Sequence, residues 1–174
     1  TAAFRYVTRH PGRALQALAQ NPLSVWDTMY DRMVQNREYK RAPYSPKSDP
    51  DWQQRLTDRL LFDANAALGE FDLLWPQVIA ELEARHVPTG PISFNGYNDG
   101  DKGFVRAVWL MVRGLRPGHV VETGVAHGMT SRFILEAMDR NGLGNLWSID
   151  RPPLDPAMRA QVGAAVGTPH PQRW

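Results

Sequence analysis

The fold is decided by one stretch of the sequence, His119-Val-Val-Glu-Thr-Gly-Val-Ala-His-Gly-Met-Thr-Ser131. It begins with apolar residues that are typical of a parallel strand covered on both faces. Small residues follow at positions 124, 126 and 128, where they allow backbone dihedrals closed to larger side chains and let a ligand approach the backbone. Apolar residues then recur at helical spacing from Met129 to Met138. The stretch predicts a strand, a tight turn and a helix, on which α/β proteins build cofactor sites.

The spacing of the small residues distinguishes between cofactors. The dinucleotide fingerprint needs its third glycine where this chain has Met129, and the third small residue comes one position earlier, at Gly128. A second apolar segment, Leu146-Trp-Ser-Ile-Asp150, ends in an acidic residue. The pattern Glu-x-Gly-x-small-x-Gly and this second segment resemble motif I and the second strand of the class I S-adenosylmethionine-dependent methyltransferases. The fold class expected is α/β, the start of a Rossmann-like methyltransferase sheet preceded by a mainly α-helical N-terminal region.

The resemblance implies that S-adenosyl-L-methionine is the cofactor. Asp150, at the tip of the second strand, is suited to accept hydrogen bonds from both ribose hydroxyls. Glu122 is placed in the family to reach the methionine end of the cofactor, commonly through water. The other cofactor-binding positions that the resemblance implies are Gly124, Ala126, Gly128 and Thr130. Ala126 departs from the pattern, since many family members have glycine there, but its methyl group is small enough to fit.

The reaction implied by the resemblance is in-line transfer of the sulfonium methyl group to a small-molecule acceptor, with oxygen favoured over nitrogen or carbon. Because the sulfonium is already activated, the protein mainly holds the two reactants at attack distance. In the family, proton-removing groups come from loops after the fourth and later strands, which this sequence does not contain, so no catalytic residue is assigned. His127 is interpreted as a solvated or locally hydrogen-bonded residue of an exposed turn rather than as a base.

Two regions are expected, a helical N-terminal region or cap over residues 1–91 and the first part of the cofactor-binding domain over residues 92–174. The helices predicted from periodicity and capping residues are Pro11–Gln20, Leu23–Lys40, one that opens near Asp49 or Asp51, Phe71–Arg85, Phe104–Leu115 and Pro156–Val166. Pro76 would then fall in the first turns of its helix, where proline is tolerated. Since only two strands are predicted and a parallel sheet needs more, the sheet is expected to be incomplete and the chain to be part of a longer polypeptide.

Residues 92–103 form a polar segment rich in Gly, Asn and Asp, which predicts a loop. In the family, a helix just before motif I covers the cofactor. The loop is therefore a candidate lid or wall of the acceptor pocket, with Tyr97 and Asn98 as contacts, although a plain surface loop is more frequent. A calcium loop is excluded, because Tyr97 occupies the third ligand position and Arg106 stands where a bidentate Glu is required. No metal site is predicted.

The composition of the chain argues against several other classes of function. The chain has 174 residues, of which 43% are hydrophobic and 22% charged, and it has no Cys, so a disulfide framework is unsupported. It contains no run of eighteen apolar residues, so no membrane partner is expected and the cytoplasm is the expected location. Its formal charge of +2 comes without a dense basic stripe interleaved with aromatic residues, which argues against a nucleic-acid partner. The sequence leaves open whether the chain forms a homo-oligomer.

Two alternatives from other classes stay open. The first is a Rossmann-like enzyme with another cofactor, such as a nicotinamide dehydrogenase or a hydroxylase built on the methyltransferase scaffold. The small-residue spacing argues against the nicotinamide cofactor. The second is a noncatalytic binding module that keeps the fold as an interaction platform and has no cofactor affinity.

Overall fold

The computed structural model contains helices, a hairpin and a parallel strand pair. It describes residues 11–20, 22–23, 25–26, 29–30, 33–34, 37, 47, 49–60, 62–94, 97–151, 153, 155–167 and 173–174. The helices are α1 (Pro11–Gln20), α2 (Trp52–Leu60), α3 (Asn65–Ala84), α4 (Lys102–Leu115), α5 (Met129–Asn141) and α6 (Pro156–Arg159). The strands are β1 (Gly90–Phe94), β2 (Tyr97–Asp99), β3 (His119–Thr123) and β4 (Asn145–Ile149). This mixture of helix and sheet is compatible with the expected α/β class.

The chain divides into two compact units. One comprises Thr1–Ser48 with Pro153–Arg159, and the other comprises Asp49–Pro152 with Ala160–Trp174. In the first unit, α1 has the bounds predicted from the sequence. The described residues within the predicted helix 23–40 are all helical, and the rest of that prediction lies outside the described residues. Of the helices described in either unit, none is long and apolar enough to cross a membrane.

Helices α3, α4 and α5 contribute most of the hydrophobic core of the second unit. The stripe of α3 predicted from helical spacing, Leu74, Val78 and Leu82, is buried. In α4, Trp109 is fully buried, and its Nε1 donates a hydrogen bond to the carbonyl oxygen of Ala67 in α3 at 2.8 Å. The apolar residues of α5 belong to the same core cluster. The core positions predicted from helical periodicity are therefore confirmed for these helices.

Helix α3 begins earlier than predicted. It covers Asn65–Ala84 rather than Phe71–Arg85, so Pro76 lies in its interior and not in its first turns. A proline there lacks the N–H and crowds the carbonyl four residues before it, at a cost of about 3 kcal/mol. The helix continues because its apolar face is buried on both sides of the proline. The side chain of Asp63, which accepts the N–H of Asn65 at 2.9 Å, marks the earlier start.

Strands β3 and β4 are parallel, and α5 joins them into a β–α–β unit. Their register pairs Thr123 with Ile149. The predicted strand, turn and helix of residues 119–131 are therefore confirmed, as is the second strand that ends just before Asp150. Because the two strands end in register at one edge, the chain that follows each of them emerges at the same edge of the pair.

The β3–β4 pair is covered on only one face within the described part of the chain. Leu146 is buried on the face against which α5 packs. Because side chains point alternately to the two faces of a strand, the opposite face bears Val121, Trp147 and Ile149, which are 66%, 60% and 64% exposed. The expectation that β3 is covered on both faces is wrong for the described residues, because α5 packs on one face alone.

The segment predicted as a polar loop, residues 92–103, contains most of an antiparallel hairpin. Strand β1 pairs with β2, with Gly90 opposite Asp99 and Phe94 opposite Tyr97. The dipeptide Asn95-Gly96 lies outside the described residues, but in sequence it is the strongest two-residue signal for a hairpin turn. The loop prediction is corrected because this signal outweighs the polar character of the segment.

The helix predicted for residues 156–166 is shorter than expected. Helix α6 ends at Arg159, and turns continue to residue 166. Gly163 has a φ of 72° and donates its N–H to the carbonyl oxygen of Ala126 at 2.9 Å. A helix cannot pass through this residue, because the left-handed dihedral and the long-range hydrogen bond both remove it from the helical pattern.

Candidate functional site

The turn between β3 and α5 needs small residues because its backbone is left-handed at three positions. The φ angles are 81° at Gly124, 52° at Ala126 and 87° at Gly128. Residues with a larger Cβ rarely adopt such angles. The N–H of Gly124 donates to the carbonyl oxygen of Ile149 at 2.9 Å, which ties the start of the turn to the end of β4. The turn is thus a fixed structure at the carboxyl edge of the strand pair.

The two glycines of this turn have different surroundings. A Cβ built on Gly124 meets no atom of the described chain within 4 Å, so the space beside it is open. A Cβ on Gly128 would lie 3.1 Å from both Gly163 Cα and Val166 Cγ2. Gly128 is therefore enclosed by the chain itself, whereas Gly124 leaves room for a ligand to approach the backbone.

The segment of residues 160–166 covers one side of the turn. The N–H of Ala165 donates to the carbonyl oxygen of His127 at 2.6 Å, in addition to the bond from Gly163 to Ala126. From the same segment, Oε1 of Gln161 lies 3.2 Å from Nε2 of His127. These bonds hold the middle of the turn in place and leave its first residue, Gly124, as the open part.

His127 is fully buried, which corrects the expectation that it lies in an exposed turn. Its N–H donates to Oδ2 of Asp99 at 3.0 Å, and its ring packs edge-on against Phe94 with centroids 4.7 Å apart. Its Nδ1 also lies 3.2 Å from Oδ2 of Asp99, within ion-pair distance but not aligned as a hydrogen bond. The hydrogen bond from the main-chain N–H of His127 therefore holds His127 and Asp99 together. The turn is covered by the hairpin and by residues 160–166, which sequence spacing did not indicate.

Asp99, at the end of β2, is a second buried polar residue of this region. The N–H of His127 donates to its carboxylate, and the backbone of Met129 lies close enough to lower the pKa of that carboxylate. Burial raises the pKa of Asp99 above its usual value, and the hydrogen bonds and the neighbouring imidazole oppose that rise without cancelling it. The sequence prediction did not name Asp99, since its role depends on a hairpin that was predicted as a loop.

Glu122 lies near the end of β3, where its Oε2 accepts two hydroxyl hydrogen bonds. Ser131 in the first turn of α5 donates at 2.6 Å, and Ser148 of β4 donates at 2.9 Å. Burial raises the pKa of Glu122, the two hydroxyls lower it, and the nearby carboxylates of Asp150 and Asp99 raise it further, so that it ends above its usual value. Three acidic side chains therefore share one electrostatic environment at the carboxyl edge of the strands.

Asp150 follows β4 directly and is half-buried. Its Oδ1 accepts the N–H of the next residue, Arg151, at 2.8 Å. Its Oδ2 is buried and has no hydrogen-bond partner among the described residues. A buried acceptor without a partner is unusual in a folded protein and calls for an explanation.

The remaining predicted site residues lie around this edge or outside what is described. Thr130 is the second residue of α5 and is half-buried. Asn98 is exposed in β2, and the side chain of Tyr97 lies outside the described residues. Within the described part of the chain, no group of three His, Asp or Glu side chains has the arrangement of a metal site.

Comparison with known proteins finds no family model, curated protein or solved structure that matches this chain.

Proposed function

We propose that this chain binds S-adenosyl-L-methionine in a Rossmann-like fold and transfers its methyl group to a small-molecule acceptor, with oxygen favoured. The observation that carries the proposal is the buried Oδ2 of Asp150, which lacks a hydrogen-bond partner among the described residues at the tip of β4. Leaving such an acceptor unpaired costs about 1–3 kcal/mol. The hydroxyls of a ribose are donors of the right kind, and a strand tip is where nucleoside-binding α/β folds hold them.

The charges at the carboxyl edge of the strands also suit this cofactor. Glu122, Asp150 and Asp99 lie close enough for the last two to raise the pKa of the first. S-adenosyl-L-methionine carries a positive sulfonium and a positive amino group, so its methionine end would offset the negative charge. A cofactor with several phosphates would add to that charge instead.

The N-terminus of α5 argues against the nicotinamide alternative. Dinucleotide folds place the pyrophosphate on the free N–H groups at this position. Here the N–H of His127 is already bonded to the buried carboxylate of Asp99, and the backbone of Met129 lies close enough to lower the pKa of that carboxylate. A phosphate would have to displace a buried anion to reach these N–H groups, whereas a cofactor without phosphate has no need of them.

Each residue of the site would make a different contact with the cofactor. Asp150 would hold the ribose, Gly124 would let the cofactor pass close to the backbone, and Glu122 would face the methionine end. The bound cofactor supplies an activated methyl group, so the chain contributes chiefly by fixing the geometry between that group and the acceptor.

A methyl group at Gly124 is expected to weaken binding more than it weakens the fold. Gly124→Ala meets no described atom within 4 Å, so its cost is the strain of a left-handed alanine, about 1–2 kcal/mol. In the proposed site, the added methyl group enters the space of the ligand. We expect about tenfold weaker binding of S-adenosylhomocysteine, equivalent to about 1.4 kcal/mol, measured by calorimetry beside thermal unfolding.

Gly142→Ala is the matched control for this prediction. Gly142 ends α5 with a φ of 72° and also has open space beside it, but it lies at the other end of that helix. It should lose a similar amount of stability and keep its affinity. Equal affinities in the two folded variants would contradict a ligand at Gly124.

Titration of the protein with S-adenosylhomocysteine and, separately, with NADH tests the proposal against the nicotinamide dehydrogenase and the noncatalytic module. Saturable binding of S-adenosylhomocysteine alone is the result we expect. Saturable binding of NADH alone would overturn the proposal in favour of a dehydrogenase. Binding of neither by the folded protein would leave the noncatalytic module.

A further inference from the structure

We infer that Asp99 determines the cofactor specificity of this site, because its buried carboxylate lies at the turn before α5, accepts the N–H of His127 and so excludes ligands that carry phosphate. The inference rests on the proposed function, since it concerns the same site. It goes further by naming a residue that lies outside the motif and by stating which ligands that residue rejects.

The N-terminus of α5 lacks a cap from its own segment. Its N-cap residue is Gly128, which has no side chain to accept a hydrogen bond. The first N–H groups of a helix need acceptors from elsewhere, and their partial positive charge attracts anions. Asp99 of β2 places a carboxylate beside these groups, where it accepts the N–H of His127 at 3.0 Å and lies close enough to Met129 for the backbone of that residue to lower the pKa of the carboxylate. A carboxylate of the chain therefore stands where an anionic ligand would bind.

The Asp99 carboxylate is held too firmly to move aside easily. The residue is only 6% exposed, and Nδ1 of His127 lies 3.2 Å from its Oδ2. The imidazole is itself fixed between the ring of Phe94 and Oε1 of Gln161. Displacing Asp99 would disturb the hairpin, the turn and residues 160–166 together.

Two effects then act against a phosphate at this position. The turn amide of His127 is already bonded, and the carboxylate that accepts it carries negative charge in its ionised form. A ligand made of a nucleoside and an uncharged or cationic tail avoids both effects. Asp99 is thus a specificity residue and also a positioning residue for the turn.

The test compares adenosine with ADP, which share a nucleoside and differ in the pyrophosphate. Dissociation constants for both are measured on the wild-type protein, Asp99→Asn and Asp101→Asn. We expect the wild type to bind ADP at least tenfold more weakly than adenosine. In Asp99→Asn this ratio should fall by tenfold or more, since the amide removes the negative charge that opposes the pyrophosphate. A folded Asp99→Asn with the wild-type ratio would overturn the inference.

Asp101→Asn is the matched control, because Asp101 caps the neighbouring helix. It is exposed, and its Oδ1 accepts the N–H of Phe104 at 2.7 Å at the start of α4. Asparagine caps helices about as well as aspartate. The control should therefore keep the wild-type ratio, and a fall equal to that of Asp99→Asn would attribute the effect to net charge and contradict the role of Asp99.

Amide hydrogen exchange of the wild-type protein tests the structural basis without any variant or ligand. The N–H of His127 should exchange at least tenfold more slowly than an unprotected amide, because it donates to a buried carboxylate. Fast exchange at His127 would overturn the inference even if Asp99→Asn failed to fold. Absence of binding of adenosine and S-adenosylhomocysteine to the wild type would instead be a failure of the proposed function.

Discussion

Asp150→Ala is expected to weaken the binding of S-adenosylhomocysteine about a hundredfold while leaving thermal stability unchanged or slightly raised. The loss corresponds to about 2.7 kcal/mol, as expected when hydrogen bonds to a charged acceptor are removed. Stability should not fall, because the carboxylate bonds only the adjacent Arg151 N–H among the described contacts and its buried Oδ2 is unpaired. Calorimetric titration gives the affinity, and thermal unfolding gives the stability.

Two further variants sharpen this prediction. Asp150→Asn keeps one acceptor oxygen and loses the charge, so its affinity should lie between those of the wild type and the alanine variant. Asp58→Ala removes an exposed carboxylate of α2 that accepts from Gln54, and it should leave the affinity unchanged. Wild-type affinity in a folded Asp150→Ala protein would contradict the assignment. A large loss of stability in that variant would show a structural role instead.

Glu122→Gln is expected to stabilise the free protein at neutral pH and to weaken the binding of S-adenosyl-L-methionine about thirtyfold. The folded-state pKa of Glu122 is raised, chiefly by burial. Because its folded-state pKa is raised, the carboxyl of Glu122 stabilises the folded protein at pH values below its pKa in the unfolded chain. This stabilisation is lost as the pH rises through the folded-state pKa. Glutamine has no such dependence and still offers an oxygen to Ser131 and Ser148. The melting temperature of the variant should exceed that of the wild type near pH 7 to 8, and the difference should shrink towards pH 4.

The loss of cofactor affinity in Glu122→Gln should depend on the charge of the ligand. Two opposite charges near 4 Å interact by about 4 kcal/mol in a partly solvated protein, and a water-mediated contact retains about half of this, which corresponds to about thirtyfold. S-adenosylhomocysteine lacks the sulfonium charge and should lose less. Glu83→Gln, an exposed position on α3, serves as the control. Equal losses for the two ligands would show that Glu122 does not respond to the sulfonium.

The part of the fold that follows from local spacing could be predicted from the sequence. The strand of residues 119–131 follows from its apolar residues, the turn from its small residues and the helix from its helical spacing, and Asp150 follows from the end of a short apolar segment. Helix α3 was predicted too short because Pro76 suggests a helix start, whereas burial of the apolar face carries the helix through it. The hairpin was missed because its polar residues resemble those of a loop, although Asn95-Gly96 signals a turn.

The candidate site was predicted only where its residues belong to the motif. Glu122 and the turn residues could be named from their spacing, but Asp99 bonds His127 across 28 positions, and Gln161 contacts it across 34. Ser148 reaches Glu122 only because β3 and β4 pair in register. Such partners depend on the pairing of distant segments, which local periodicity does not encode.

A crystal structure of the protein with S-adenosylhomocysteine would test the central claim most directly, through the distances between the ribose oxygens and the Asp150 carboxylate. The proposal predicts both ribose hydroxyls within about 2.5–3.0 Å of that carboxylate, the usual range for hydroxyl donors. It also predicts that the methionine end passes Gly124 towards Glu122. A nucleoside bound elsewhere, or no bound ligand at saturating concentration, would contradict it.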